Sequence, residues 1–251
     1  MVSEQFSLNG KTALVAGDSR FWSKYVAAAL AEAGADVAIA ASSSQRLKEA
    51  SGEAEHLGRK IVTIPTNMTD PSQVNNMVEQ AVTELGRIDI LVNAADLEFA
   101  KPFLEITRDE WQQVMDTNLN SIFYSCQSVA KHMLSARKGR IVNIISCLAE
   151  RGLSHGSAYC VSMGGVLQLT RTLALEWARE GITVNAIGTG WFAETDRTGA
   201  LDEDRLLRYL PLKRYGHPGE VGSMVVYLAS DTTDFVTGQF FYADGGLMAH
   251  A

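Results

Sequence analysis

The sequence predicts an α/β protein in which a parallel sheet carries helices on both faces. Three observations lead there. Short apolar runs alternate with longer stretches of helical spacing, giving the strand, helix, strand order that a doubly wound sheet requires. The short runs are apolar at consecutive positions, not alternate ones, as strands buried on both faces are. The chain has 251 residues, 46% hydrophobic and 20% charged, which suits one domain with a substantial core.

Taken in order, the first strand is expected over residues 12–16 and a helix over 23–33. Strands at 36–40 and 61–65 flank a helix at 44–57, and a helix at 71–85 leads to a strand at 88–93. A long helix at 108–134 precedes the strand at 139–145, and a second long helix at 158–179 precedes the strand at 183–187. A helix at 219–229 follows, and a last strand at 239–243 comes after a Thr-Gly turn and ends in Asp244-Gly245-Gly246. Neither an internal repeat nor a low-complexity segment interrupts the order.

Composition narrows the function classes. A net charge of −7 without a long basic run argues against nucleic acid or an anionic membrane surface as partner. Residues 1–10 hold no apolar signal core, and no stretch approaches the roughly 20 apolar residues that span a bilayer, so a cytoplasmic protein is expected. Cys126, Cys147 and Cys160 are odd in number and lack CxxC spacing, which suggests neither a disulfide framework nor a zinc site. His56, His132, His155, His217 and His250 show no paired metal spacing, and no metal is expected. His155, close to Tyr159, is the one candidate for a substitute base.

Five segments together carry a family signal: residues 11–15, Ala31-Glu32-Ala33-Gly34-Ala35-Asp36-Val37, Gly139-Arg140-Ile141-Val142-Asn143, Gly181-Ile182-Thr183-Val184-Asn185-Ala186, and Val236-Thr237-Gly238-Gln239. Through them the chain resembles the short-chain dehydrogenase/reductase family over essentially its whole length. The resemblance implies a Rossmann-type sheet as one domain, 1–251, with a nicotinamide dinucleotide across the strand ends. Residues 12–100 would then hold the dinucleotide site, 108–190 the catalytic and oligomerisation region, 191–215 a variable substrate loop, and 239–243 the C-terminal strand.

The dinucleotide region departs from the family pattern. Where the family has Thr-Gly-x-x-x-Gly-x-Gly, which lets backbone approach a pyrophosphate at a helix N-terminus, the chain reads Ala16-Gly17-Asp18-Ser19-Arg20-Phe21-Trp22-Ser23. Only Gly17 survives; Phe21 and Ser23 replace the other glycines. A ring at Phe21 would fill the phosphate site or force the loop away, and Asp18 is expected to cap the helix that follows. Ala41 and Ser42 stand where the family often has an acid and an arginine for the adenosine ribose. Asn67 replaces an aspartate expected near adenine, Asp96 replaces glycine in Asn93-Ala94-Ala95-Asp96, and Thr189 replaces proline before Gly190. No cofactor is expected on this chain. Were a rearranged loop to bind phosphate, Arg20 or Lys24 would be its cations.

The catalytic positions are mixed. Ser146 lies 159 − 146 = 13 positions before Tyr159, the family's serine-tyrosine spacing, and Asn118 matches its helix asparagine. By resemblance, tyrosine is the general acid/base, serine polarises the carbonyl, and a lysine four residues after the tyrosine lowers its pKa and holds the nicotinamide ribose. Here that position is Met163, which has neither charge nor donor. With an ordinary phenol pKa near ~10, about one tyrosine in a thousand would be ionised at pH 7. Ser146 and Tyr159 therefore read as remnants, Asn118 as a structural bond at a helix irregularity, and Met163 as core filler.

Both long helices and the last strand keep their apolar spacing, and by resemblance these form subunit contacts of two kinds. The expected role is a non-catalytic subunit, similar to the degenerate subunit of heteromeric hydroxyacyl-CoA dehydrogenases such as those of anaerobic toluene degradation. It would pair with an active paralogue, as a heterotetramer, with NAD in the active partner. The alternatives are a cofactor-free lyase resembling halohydrin dehalogenases, which keep an arginine where this chain has Met163, and a divergent NAD(P)-dependent oxidoreductase.

Overall fold

The order of strands in space fixes where a site can form. The computed structural model describes residues 4–19, 22–193 and 207–249. Within them, β1 (Thr12–Ala16), β2 (Asp36–Ala41), β3 (Ile61–Pro65), β4 (Ile90–Asn93), β5 (Gly139–Ser146), β6 (Ile182–Thr189) and β7 (Phe240–Ala243) form one parallel sheet. Its order is β3-β2-β1-β4-β5-β6-β7, so β1 lies between β2 and β4 and the winding reverses there. In open sheets of this kind ligands lie at that reversal, beyond the carboxyl ends of the strands.

The helices are α1 (Trp22–Glu32), α2 (Ser44–Glu55), α3 (Pro71–Leu85), α4 (Arg108–Met115), α5 (Ser121–Ala136), α6 (Ser157–Trp177) and α7 (Gly219–Ala229). Alternate strand residues feed two cores. Ala13, Val15, Val37 and Ile39 pack with Val26, Leu30, Leu47 and Val225 on one face. Leu14, Ala38, Leu91 and Ile141 pack with Met77, Ile122, Val129 and Val166 on the other. The consecutive apolar residues of the central strands follow from this, since each face needs its own apolar set.

Two expectations need correction. Not every strand is buried: β3 exposes Thr63 and Pro65, and β7 exposes Tyr242. Both are edge strands with a neighbour on one side only, where a proline without an N–H is tolerated. The helix expected over 108–134 is also broken. α4, begun by a reciprocal Thr107–Glu110 capping box, gives way to a π-helical turn at Asp116–Asn120 before α5 continues. The apolar spacing resumes after the turn, which is why the pattern reads as one helix; such turns are frequent at functional sites.

Gly17, just after β1, has φ +144, and a Cβ there would fall 2.4 Å from the Ala95 backbone nitrogen. Only glycine lets the β1 loop pass this close to the end of β4. Ala94 N–H donates to Ala16 O at 2.8 Å and Gly17 N–H to Ala40 O at 3.0 Å, so the ends of β1, β2 and β4 are tied together. Among the described residues no helix is long and apolar enough to cross a membrane, and no cluster of three or more potential metal ligands occurs.

Candidate functional site

A cleft of about 510 Å³ opens beyond the carboxyl ends of the central strands, and Trp22, Asp96, Ser146 and Tyr159 all line it. β5 ends at Ser146, α6 carries Tyr159 on its first turn, and the chain leaving β4 brings in Asp96. The topology thus unites the serine and tyrosine that lie 13 positions apart in sequence.

Their chemistry is governed by Asp96. The Tyr159 hydroxyl donates to Asp96 Oδ1 at 2.9 Å, and the Trp22 Nε1–H donates to Asp96 Oδ2 at 3.3 Å. Desolvation raises the Asp96 pKa to about 6; the Tyr159 bond opposes this, the nearby Glu98 charge adds to it, and Trp22 opposes it. Burial likewise drives the Tyr159 phenol well above its ordinary value, and the Asp96 charge and hydrogen bond push the same way, against a smaller lowering by Ser146. An expectation of ordinary phenol acidity is therefore corrected. A carboxylate that accepts a hydrogen bond from the phenol stabilises the neutral phenol, the reverse of what a lysine does.

Met163 is fully buried, and its sulfur accepts from the Ser146 backbone N–H at 3.4 Å. It packs in the core cluster beneath the serine and does not line the cleft. Asn118, on the π-helical turn and fully buried, holds the backbone of Leu97 from both sides: it accepts from Leu97 N at 2.7 Å and donates to Leu97 O at 3.0 Å. Its amide also donates to Ser162 Oγ on α6 at 3.2 Å. Asn118 is thus committed to positioning the segment that carries Asp96.

The β1 loop is arranged differently from expectation. Asp18 does not cap α1. Its carboxylate accepts from Ser42 N at 2.9 and 3.1 Å, with Arg46 3.6 Å away, so the loop reaches sideways to the end of β2. Ser19 takes the capping role, accepting from Ser23 N at 3.3 Å, while the Ser23 hydroxyl donates to Gly17 O at 3.1 Å. Phe21 and Arg20 lie outside the described residues, as does 194–206 of the variable loop. The neighbouring Trp22 is described: it is 3% exposed and meets Phe192 edge-on at 5.1 Å, so an indole stands at the β1–β4 reversal. Lys24 Nζ lies 5.0 Å from the Tyr25 ring centroid.

The other positions are locally engaged. Asn67 accepts from Thr69 N and Oγ1 at 3.1 and 2.9 Å as a turn, and the Thr189 hydroxyl donates to Ile145 O at 3.0 Å. Ala41 is buried on β2. His155 is exposed, with φ 64, and is not among the residues lining the cleft, so it does not supply a substitute base there. Sequence reasoning missed the Asp96–Tyr159 and Asp18–Ser42 bonds. The first joins the segment after β4 to α6 and the second joins the segments after β1 and β2, and no local spacing signals them.

A family profile described as enoyl-(acyl carrier protein) reductase matches residues 23–248. The chain is 35% identical over 241 residues to the 3-oxoacyl-[acyl-carrier-protein] reductase of Staphylococcus epidermidis, covering 94% of this chain and 98% of that protein. It is 33% identical over 252 residues to the 5-keto-D-gluconate 5-reductase of Escherichia coli K12, covering 98% and 99%. Among solved structures, a gluconate 5-dehydrogenase from Burkholderia cenocepacia in complex with NADP and tartrate aligns with a TM-score of 0.91 at 31% identity, covering 98% of each chain.

Proposed function

We propose that this chain, which belongs to the short-chain dehydrogenase/reductase family of oxidoreductases, is a non-catalytic subunit that supports an active, NAD-dependent paralogue. The observation that carries this reading is the state of Tyr159: its hydroxyl donates to Asp96 and keeps its proton, and the fully buried Met163 stands where the family has lysine. Trp22 and Asp96 together put an indole and a charge into the crevice at the end of β1 and β4. These residues do not fit a dinucleotide, so NAD is assigned to the partner and no chemical step is assigned to this chain. The Ser146, Tyr159 and Asn118 remnants then serve packing and loop positioning.

The partner is a paralogous subunit in a heterotetramer. By resemblance, its substrate is a hydroxyacyl-CoA, and the narrowest form of the proposal is the 2-(α-hydroxybenzyl)succinyl-CoA dehydrogenase of anaerobic toluene degradation. The names of the relatives favour a second reading, a divergent NAD(P)-dependent oxidoreductase, because each is called a reductase or dehydrogenase. A lyase of the halohydrin dehalogenase kind is disfavoured, since nothing at Met163 supplies the cation that activates tyrosine there.

The deciding experiment is to purify the chain alone and with a paralogue carrying Tyr-x-x-x-Lys. The supporting role expects co-purification, no oxidation of hydroxyacyl-CoA by this chain alone, and no saturable quenching of its tryptophans by NADH below about 1 mM. Turnover by the isolated chain, or submillimolar NADH binding, transfers the proposal to the oxidoreductase reading.

A further inference from the structure

The cleft contains a combination that a supporting role leaves unused. Six aromatic side chains line it, Trp22, Phe99, Tyr159, Trp191, Phe192 and Tyr215, together with the carboxylates of Asp96 and Glu98. No lysine, arginine or histidine is among its described lining residues. We propose that the cleft binds an organic cation, an amine or quaternary ammonium group on a small apolar body, with the charge held by Asp96 and Glu98 and the body against the rings.

Size permits this: about 510 Å³ falls within the roughly 300–1,000 Å³ of small-molecule sites. Electrostatics favours it. The hydrogen-bond donors to Asp96, the Tyr159 hydroxyl and the Trp22 indole, are both neutral. A carboxylate offers about four lone-pair sites, so these two bonds leave acceptor capacity unused on a residue that lines the cleft. Glu98 adds a like charge that acts on both Asp96 and Tyr159. A bound cation offsets the repulsion and the cost of burying the carboxylate by direct attraction, whereas a phosphate or carboxylate ligand would add to the repulsion.

The rings supply the second half of the site. Aromatic faces attract cations through their quadrupoles, tryptophan most strongly, and more so where water is excluded. Trp22 and Phe192 stand at an interplanar angle of 75°, so the wall has a corner and not a flat surface. A corner of rings beside a carboxylate is the arrangement that holds an alkylammonium head.

The test titrates the full chain, without dinucleotide, with benzyltrimethylammonium and benzylammonium, and compares benzyl alcohol and benzoate, which keep the ring and lack the positive charge. Tryptophan fluorescence and calorimetry report binding. The ammonium compounds are expected to saturate one site at least about tenfold more tightly than the alcohol, and benzoate to show no saturation. Asp96→Asn and Glu98→Gln should each weaken the ammonium by about fivefold or more with the circular dichroism unchanged. Should Asp96→Asn fail to fold, Glu98→Gln at the exposed rim decides. Equal affinity for alcohol and ammonium, no saturation below about 10 mM, or undiminished binding in Glu98→Gln overturns the proposal. NAD-dependent turnover by the isolated chain would overturn the supporting role and leaves this titration to be read separately.

Discussion

The amino ends of the strands and the cleft beyond their carboxyl ends treat negative charge in opposite ways. At the amino ends of the strands each carboxylate has a cation: Asp89 pairs with Arg87 at 2.9 Å, Asp231 with Lys11 at 2.7 Å and Lys138 at 3.4 Å, and Asp234 with Arg140. Burial alone would raise Asp231, yet Lys11 and Lys138 hold it below its ordinary value. At the carboxyl ends Asp96 is bonded by a phenol and an indole, and its pKa rises to about 6. The first end contributes to stability, and the second leaves a charge uncompensated in a cleft. Perturbed groups of that kind concentrate where ligands bind.

The largest expected effect comes from forcing the carboxyl end to resemble the amino end. Met163→Lys would place an ammonium in a fully buried position beside the Ser146 N–H, which is itself a donor. A loss of about 3 kcal/mol or more is expected in urea unfolding at pH 7, with no NAD-dependent oxidation, because Trp22 and Asp96 remain. Recovered oxidation in this single variant would break the comparison.

Removing the uncompensated charge should act in the opposite direction. The folded-state pKa of Asp96, about 6, lies above its ordinary 3.8, so ionisation penalises the folded state fully above pH 6 and not at all below pH 4. Two units correspond to about 3 kcal/mol, discounted to about 2 because Asp96 is partly exposed at the cleft wall. Asp96→Asn is therefore expected to be more stable by on the order of 2 kcal/mol at pH 8, the gain vanishing near pH 4. A constant difference across that range, in unfolding curves taken at both pH values, would show that burial of the charge is not its cause. The Tyr159 phenol should also titrate at lower pH in this variant, read by the ultraviolet absorbance of its phenolate.

The smallest effect belongs to the amino end. Arg140 is buried, but its partners Asp231 and Asp234 are 55% and 71% exposed. Arg140→Met should cost only ~1 kcal/mol, shrinking at 1 M salt. A cost of several kcal/mol unaffected by salt would place this cluster in the class of buried ion pairs and weaken the contrast.

The frame was legible because burial on both faces of a parallel sheet imposes consecutive apolar residues. The expected bounds of the first and third strands coincide with β1 (Thr12–Ala16) and β3 (Ile61–Pro65). The π-helical turn at Asp116–Asn120 left no mark in the apolar spacing, which is regular on either side of it; only Asn118, read as a bond at a helix irregularity, pointed to it. In the site, Met163 declared itself by its distance from Tyr159. The role of Asp96 did not, because its bond to Tyr159 spans 63 positions and depends on the strand order. Asp18 misled for a related reason: a carboxylate before a helix suggests a cap, but the loop geometry offered it the Ser42 N–H first.

The grip of Asn118 on Leu97 reaches beyond local order. Through its bonds to Leu97 and Ser162, the backbone next to Asp96 is pinned both to the junction of α4 with α5 and to α6. Acid, junction and α6 are consequently one mechanical linkage: a shift of either long helix moves the anionic floor of the cavity with it. A displacement at the outer surface of those helices would thereby alter the electric field felt inside.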